Sequence, residues 1–366
     1  MKKRIRAGIV GLGRIGQAHL DALRRIPWIE VAAIAGRDEA SARAVAIRHS
    51  IPAWYGSYAE MLPTVDVVHN CTPNGLHTAV NLAAIAAGKH IYAEKPLAPS
   101  AQEAYDVWCR AESAGVLHGL NHQYRMNPAI QEMRTRTQRG DVGRVFLAGG
   151  HYRQQGALYE TDFAPRMLEG GLAAALSDIG THWVDTAQCV LRRRVERVIA
   201  QITTAYPSRI LPDGTRVNVR TDDISALLMT FEGGTQGALT VSKVSAGHQN
   251  DLMLTLDGEK CSMRWAQENP NHLFIGHRDR ANEDLQLSPQ LSDPAIRDLL
   301  PLAGGHPLGW YDALAHAIRE FYSAVAGDIA PSAMRCATFA DGFAGMAFVE
   351  AAVRSCQTEQ WETVRR

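Results

Sequence analysis

Gly11, Gly13 and Gly16 sit between the apolar run Ile5-Val10 and a helically periodic segment from Ile15 to Arg25, and no other feature restricts the fold of this chain as much. The first glycine permits a tight bend, the second lets a ligand approach the backbone, and the third lets the helix settle on the strand. The N–H groups of that helix start, around Arg14 and Ile15, face outward as an anion site. Alone, such a turn is a weak signal and reads equally as an ordinary glycine-rich loop. The strand before it and the amphipathic helix after it make it a dinucleotide site.

From residue 5 to about 122, short apolar runs alternate with helical segments, the pattern of βαβ units and a parallel sheet. Predicted strands are Ile5-Val10, Ile29-Ala35, Val65-Asn70, His90-Glu94 and Val116-Asn121, and predicted helices are Ile15-Arg25, Glu39-His49, Leu76-Ala87 and Ala101-Ala114. Residues 1–122 therefore read as a doubly wound Rossmann domain. The 366 residues exceed what one core usually holds, so residues 123–366 form a second domain. There a helix follows Pro128, a strand covers Val145-Gln155, and a helix covers Leu172-Val190. Strands at Val195-Tyr206, Ile224-Phe231, Gln236-Ser245, Leu252-Leu256, Cys261-Trp265 and Leu273-Gly276 are punctuated by Gly-Gly and Asp-Gly. That spacing predicts consecutive hairpins in a large, mostly antiparallel open sheet with helices on one face, an α+β arrangement. Helices at Trp310-Val325 and Phe339-Cys356 close the chain, and the aperiodic stretch Arg278-Leu308 reads as a lid or an oligomer arm.

Acidic and basic residues balance at 38 each, with no basic run longer than Lys2-Lys3-Arg4, which argues against nucleic acid or a membrane surface as partner. The six cysteines lack CxxC spacing and point to a reducing, cytoplasmic compartment. No metal is expected: His118 and His122 stand four apart but in and just after a strand.

An NAD site usually carries an acid about twenty residues beyond the glycines. Gly36 holds that place, followed by Arg37, whose guanidinium suits a 2′-phosphate, so NADP is favoured over NAD. The opposing reading has Asp38 reaching back to the ribose. Thr72-Pro73-Asn74 follows the third predicted strand, with His77 just beyond it, and Glu94-Lys95-Pro96 follows the fourth. All belong to the ligand edge of the sheet, and together with Gly11, Gly13, Arg14, Ile15, Gly16, Gly36 and Arg37 they are the candidate cofactor residues. Lys95 can donate to a substrate hydroxyl and steady a developing alkoxide, while Glu94 points to the other side of the strand. The X-Pro bond at Pro96 is one where a cis peptide can re-aim the lysine. Asp178 and His182, at i and i+4, share a helix face, and histidine suits the hydroxyl proton of a carbinol. Asp185, one turn on, can pair with the same ring. A capping aspartate beside a core histidine is the bland alternative, and Lys95 shifts the balance toward catalysis.

These residues carry a likeness. The glycine turn, Thr72-Pro73-Asn74, Gly88-Lys89-His90 leading into Glu94-Lys95-Pro96, Gly140-Asp141-Val142-Gly143, and Gly170-Gly171 leading to Asp178 and His182 resemble the glucose-fructose oxidoreductase / inositol 2-dehydrogenase / rhizopine catabolism (Gfo/Idh/MocA) family. The resemblance implies an N-terminal Rossmann domain, a C-terminal domain whose open sheet makes homodimer or homotetramer contacts, and oxidation or reduction of sugars, anhydrosugars or cyclitols with NAD or NADP. It makes Lys95 the catalytic lysine, Asp178 a substrate-binding aspartate and His182 the general acid/base. Arg125 lies in a segment that reaches substrate, and Tyr152, Arg166 and Lys243 are further substrate candidates. Two other activities are compatible with the likeness: a sugar–sugar oxidoreductase with tightly held cofactor, and a non-catalytic dinucleotide-binding regulator. Retention of Lys95, Asp178 and His182 together argues against the regulator.

Overall fold

The computed structural model of the chain describes residues 4–164, 167–168 and 173–366. Val-, Ile- and Ala-rich runs in the N-terminal part are buried, as strands must be when helices cover both faces of a parallel sheet. Strand β1 (Ile5–Val10) leads to α1 (Arg14–Arg24), β2 (Ile29–Ala35), α2 (Glu39–Arg48), β3 (Ala53–Tyr55), the short α3 (Tyr58–Met61), β4 (Val67–Asn70), α4 (His77–Ala86), β5 (His90–Ala93), α5 (Ala101–Ser113) and β6 (His118–Leu120). The strands lie in the order β3-β2-β1-β4-β5-β6, all parallel. The order reverses between β1 and β4, and the crevice at their carboxyl ends is where such sheets bind ligands. Asp38, Ser57 and Ser100 start α2, α3 and α5 by accepting N–H groups of Ser41, Ala59 and Glu103. Two details depart from the spacing. Three residues of β3 are too few to show a period, and β4 starts at Val67 because a 3₁₀ turn occupies Leu62–Thr64.

Further along, α6 (Pro128–Arg139) is capped by Asn127 and closed by left-handed Gly140 (φ 84°). Then come β7 (Val145–Arg153), a π-helical turn at Leu176–Gly180 that runs into α7 (Thr181–Leu191), and β8 (Val195–Thr203). After these follow β9 (Ser208–Ile210), β10 (Arg216–Asn218), β11 (Ile224–Phe231), β12 (Gln236–Ser242), β13 (Asp251–Gly258), β14 (Ser262–Ala266), β15 (His272–Gly276) and β16 (Glu283–Gln286). The chain ends with α8 (Trp310–Val325), α9 (Phe339–Thr358) and β17 (Glu362–Thr363). Nine strands make one sheet in the order β16-β15-β14-β13-β7-β12-β11-β8-β17. Strict alternation buries one face: Leu227, Met229 and Phe231 of β11 turn inward, while Ile224, Ala226 and Leu228 turn out. Helix α7 packs on the inner face, where the Trp183 indole N–H donates to the Met253 carbonyl at 2.9 Å.

Antiparallel hairpins join β11 to β12 and run from β13 through β16, as the Gly-Gly and Asp-Gly spacing predicts, but one strand breaks the run. Strand β7 lies between β12 and β13, parallel to the first and antiparallel to the second. The reason is the connection Lys243–Asn250, far longer than a hairpin turn. The Arg278–Leu308 stretch contains β16 and a 3₁₀ turn at Pro294–Leu299 with Ile296 and Leu299 buried.

Residues Met1–Met126 and Trp310–Phe343 form one compact unit, and Asn127–Gly309 with Ala344–Arg366 the other. The boundary placed at 122/123 on sequence thus falls slightly early, and 310–343 pack with the first unit rather than the second. Helix α8 lies beside α1 and β5, with the Tyr322 hydroxyl 3.0 Å from His69 Nε2 and Asp312 accepting from Arg25 at 2.8 Å. The apolar face of α8 is legible in its period, but which sheet that face covers is a long-range fact that no local pattern encodes.

Candidate active site

In the first unit the glycine turn divides its labour. Gly11 has φ +93°, and a Cβ there would lie 2.3 Å from the Cys71 carbonyl oxygen; one on Gly16 would lie 2.1 Å from the Gly11 carbonyl oxygen. A Cβ on Gly13 would meet nothing within 4 Å. Gly11 and Gly16 therefore serve the fold, whereas Gly13 keeps the start of α1 open to a ligand backbone-first, with no acidic residue in the first helical turn. This open cradle fits a dinucleotide pyrophosphate. Gly11→Ala should consequently destabilise the protein by more than about 1 kcal/mol. Gly13→Val should keep the melting temperature and weaken dinucleotide binding about tenfold or more, a loss of about 1.4 kcal/mol. Equal melting losses in the two variants would contradict this division.

At the end of β2, Gly36 abuts Ser41 and Ala42, so a Cβ would approach the Ser41 Oγ to 3.1 Å. Asp38 accepts the Ser41 N–H at 2.8 Å, and this bond, aided by the Ser41 hydroxyl, holds its carboxyl below the ordinary value. Reaching back to a ribose would compete with that helix cap. Arg37 is 95 % exposed, its Nε 3.6 Å from the other Asp38 oxygen.

The loops after β4 and β5 are tied together. Asn70 accepts from the Thr72 hydroxyl at 2.7 Å and donates to Asn81 at 2.8 Å. The buried ring of His77 contacts the Pro96 carbonyl through Nδ1 (2.6 Å) and the Thr72 carbonyl through Nε2 (2.8 Å). His77 thus clamps Thr72-Pro73-Asn74 against Glu94-Lys95-Pro96. Glu94 turns inward, as the strand alternation requires, and Lys95 is half-buried at the sheet edge. The Lys95–Pro96 peptide is cis. Arg125, in a 3₁₀ turn at Gln123–Met126, is buried with its Nη1 3.3 Å from Asp341. His118, set aside as a metal ligand, stacks on Phe339 and bonds Glu112 at 3.0 Å.

In the second unit the buried Asp222 carboxylate accepts the N–H groups of Ala174, Ala175 and Leu176 at 2.5, 2.7 and 2.9 Å and the Ser225 hydroxyl at 2.8 Å. Burial pushes this carboxyl up, and those bonds offset only part of the effect. The helix start held in this way carries Asp178 in the π-helical turn and His182 in the first turn of α7. A π turn inside a helix often marks a functional site. Asp178 pairs with the ammonium of Lys243, which is 4 % exposed, just past the end of β12. Tyr152, on the inner face of β7, places its ring 6.3 Å from His182 and donates its hydroxyl to Asn250 at 2.5 Å. Asp185 is buried on the same helix. Arg166 and Gly170-Gly171 lie outside the described residues.

Each unit therefore gathers its own candidates: the glycine turn, Gly36-Arg37, Thr72-Pro73-Asn74, His77 and Glu94-Lys95-Pro96 at the carboxyl edge of the parallel sheet, and Tyr152, Asp178, His182 and Lys243 on the inner side of the mixed sheet. Sequence reasoning passed over His19, His69 and Asp222. Asp222 stands before a strand with no motif around it. Only the position of His19, one turn past Gly16, hinted that it faces the sheet. Among the described residues no group of three or more His, Cys, Asp or Glu side chains is placed to hold a metal, and no helix is long and apolar enough to cross a membrane.

Comparison with known proteins agrees with this architecture. Residues 5–122 match the model of an oxidoreductase family with an NAD-binding Rossmann fold, and residues 130–264 match the Gfo/Idh/MocA C-terminal domain. Levoglucosan dehydrogenase of Pseudarthrobacter phenanthrenivorans is 25 % identical over 392 aligned positions, covering 98 % of each chain. Trans-1,2-dihydrobenzene-1,2-diol dehydrogenase of Sus scrofa is 29 % identical over 246, covering 66 % of this chain and 69 % of the relative. A solved structure of levoglucosan dehydrogenase in complex with NADH and L-sorbose superposes with a TM-score of 0.91 at 25 % identity, covering 99 % of both chains. The chain belongs to the Gfo/Idh/MocA family of NAD-binding oxidoreductases.

Proposed function

We propose that this oxidoreductase is an NAD(P)-dependent dehydrogenase or reductase acting on a carbinol carbon of an uncharged sugar, anhydrosugar or cyclitol. The observation that carries the reading is the pairing of Asp178 with the buried Lys243, on the helix that also carries His182, whose ring lies 6.3 Å from that of Tyr152. Clustered hydrogen-bonding groups of both signs suit a ring bearing several hydroxyls, and the relative named levoglucosan dehydrogenase, solved with NADH and L-sorbose, supports that class. The glycine turn, Arg14, Ile15, Gly36, Arg37 and the loops at Thr72-Pro73-Asn74 and Glu94-Lys95-Pro96 would hold the dinucleotide. When bound, it supplies a hydride acceptor or donor at nicotinamide C4. Lys95 donates to the reacting hydroxyl oxygen and His182 takes or returns its proton. Asp178, oriented by Lys243, accepts a neighbouring substrate hydroxyl, and Arg125, Tyr152 and Arg166 belong to the same substrate set. Self-association is part of the reading, with Ile199, Leu228 and Ala238 standing in register on the outer face of the nine-stranded sheet and Ala226 beside them on the same face of β11.

Titration with NADH and NADPH, followed by nicotinamide absorbance across aldoses, inositols and anhydrosugars, tests this directly. Turnover on a panel member supports the dehydrogenase, whereas tight dinucleotide binding without turnover favours a tightly held cofactor or a regulator. Absence of binding refutes the reading. If Arg37 receives a 2′-phosphate, Arg37→Ala should weaken NADPH about tenfold, the size expected for one charge-assisted contact, and leave NADH within about twofold. Equal weakening of both cofactors would remove the case for NADP.

A further inference from the structure

Beneath Lys95, inside the first unit, runs a chain of polar side chains that the chemistry above does not use. His19, His69, Tyr92 and Tyr322 are all 0 % exposed. The Tyr322 hydroxyl lies 3.0 Å from His69 Nε2, His69 Nδ1 lies 2.9 Å from His19 Nδ1, and His19 Nε2 lies 3.0 Å from Glu94 Oε1. The same Glu94 oxygen accepts from Asn121 Nδ2 at 2.5 Å, and Tyr92 donates to Asn121 Oδ1 at 3.3 Å. The second Glu94 oxygen accepts the backbone N–H of Lys95 at 3.2 Å.

Proton accounting constrains this chain. Two facing Nδ1 atoms share a single hydrogen. If His19 donates it, His69 carries its own hydrogen on Nε2, toward the Tyr322 oxygen. If His69 donates it, its Nε2 accepts from the Tyr322 hydroxyl. Only the second arrangement leaves a neutral His19 its hydrogen on Nε2, where Glu94 accepts it. Burial, then the neighbouring His19, pushes His69 well below the ordinary imidazole value. Burial opposes ionisation of Glu94, yet His19, Lys95 and Asn121 outweigh it and hold the carboxyl below its ordinary value. Glu94 is thus an anion gripped at one oxygen from α1 and from the segment after β6, with its other oxygen on the Lys95 peptide.

We propose that His19 is a positioning residue for Lys95: it anchors the Glu94 carboxylate, and Glu94 fixes the peptide from which the Lys95 side chain projects. The inference rests on the catalytic reading of Lys95. A glutamate has three rotatable bonds, so an Oε1 without its His19 partner lets Oε2 leave the Lys95 N–H. A shift of the ammonium by a fraction of an ångström is enough to slow a reaction that depends on alignment.

The test compares His19→Leu, His19→Gln and Tyr322→Phe with the parent protein. His19→Leu should lower kcat on the order of 10- to 100-fold, the range for a misaligned group, while the dinucleotide Kd stays within about twofold. In the dinucleotide-free protein, amide hydrogen exchange of the 91–97 peptide should rise. His19→Gln keeps a donor toward Glu94 and should restore most of both quantities. Unchanged kcat and exchange in His19→Leu would overturn the proposal. So would a parallel loss of Kd and kcat with faster exchange throughout α1, or a Gln variant no better than Leu. If His19→Leu does not fold, Tyr322→Phe decides: faster exchange at 91–97 with a severalfold lower kcat supports the chain, and parental values overturn it. A fully active Lys95→Ala would sink the reading of Lys95 itself, whereas an inactive Lys95→Ala beside a normal His19→Leu sinks only this inference.

Discussion

Lys95→Ala is expected to fold, to bind NADH, and to lose about a thousandfold in kcat, equivalent to about 4 kcal/mol of transition-state stabilisation. Folding should survive because Lys95 is only half-buried and the link to Glu94 uses its backbone N–H, which alanine retains. Binding should survive because the pyrophosphate cradle is the start of α1, opened by Gly13 and independent of the lysine. In the proposed mechanism, what is lost is the ammonium at the hydroxyl oxygen, where charge develops as the proton and hydride leave. A fluorescence titration with NADH, a melting curve and steady-state rates on the best substrate separate the three quantities. A kcat within threefold of the parent would remove Lys95 from the mechanism, and a large rise in Kd would make it chiefly a cofactor residue.

The second large effect is expected at a residue with no chemical role. Asp222→Ala removes the carboxylate that accepts three consecutive N–H groups at the start of the helix carrying Asp178 and His182. Those donors are buried and alanine offers them nothing, so a loss of about 3 kcal/mol or more is expected from hydrogen bonds to a charged group. For a unit of this size that corresponds to a fall in melting temperature of roughly 6–12 °C. Turnover should fall as well, since the π-helical turn that sets Asp178 against Lys243 begins at the last of these N–H groups. Ser225→Ala, which removes only one hydroxyl from the same carboxylate, should cost about 1 kcal/mol. Equal effects of the two substitutions would mean that the helix start does not depend on Asp222.

Much of the first unit was legible because its signals are local. The glycine turn and the buried apolar runs each declare themselves within a dozen residues. Lys95, Asp178 and His182 could be singled out as candidates for a similar reason, since each sits in a short motif at a predictable place on an element. What escaped was long-range. The place of β7 between β12 and β13 depends on strands about a hundred residues away, and the docking of α8 on α1 depends on a partner nearly three hundred away. The His19–His69–Tyr322 chain joins three elements that are neighbours only after folding. Asp222 reads as one of two aspartates before a strand until the helix start it caps is in place.

The return of α8 to the first sheet also sets an order of events during synthesis. A ribosome that has released residues up to Met126 has made all six parallel strands, yet His69 lacks Tyr322 and α1 lacks the helix that covers it. The NAD-binding unit therefore stays incomplete until residue 343 emerges, after every strand of the nine-stranded sheet except β17 has been made. The first unit to be synthesised is thus among the last to be completed, because its last segment leaves the ribosome only after most of the second unit.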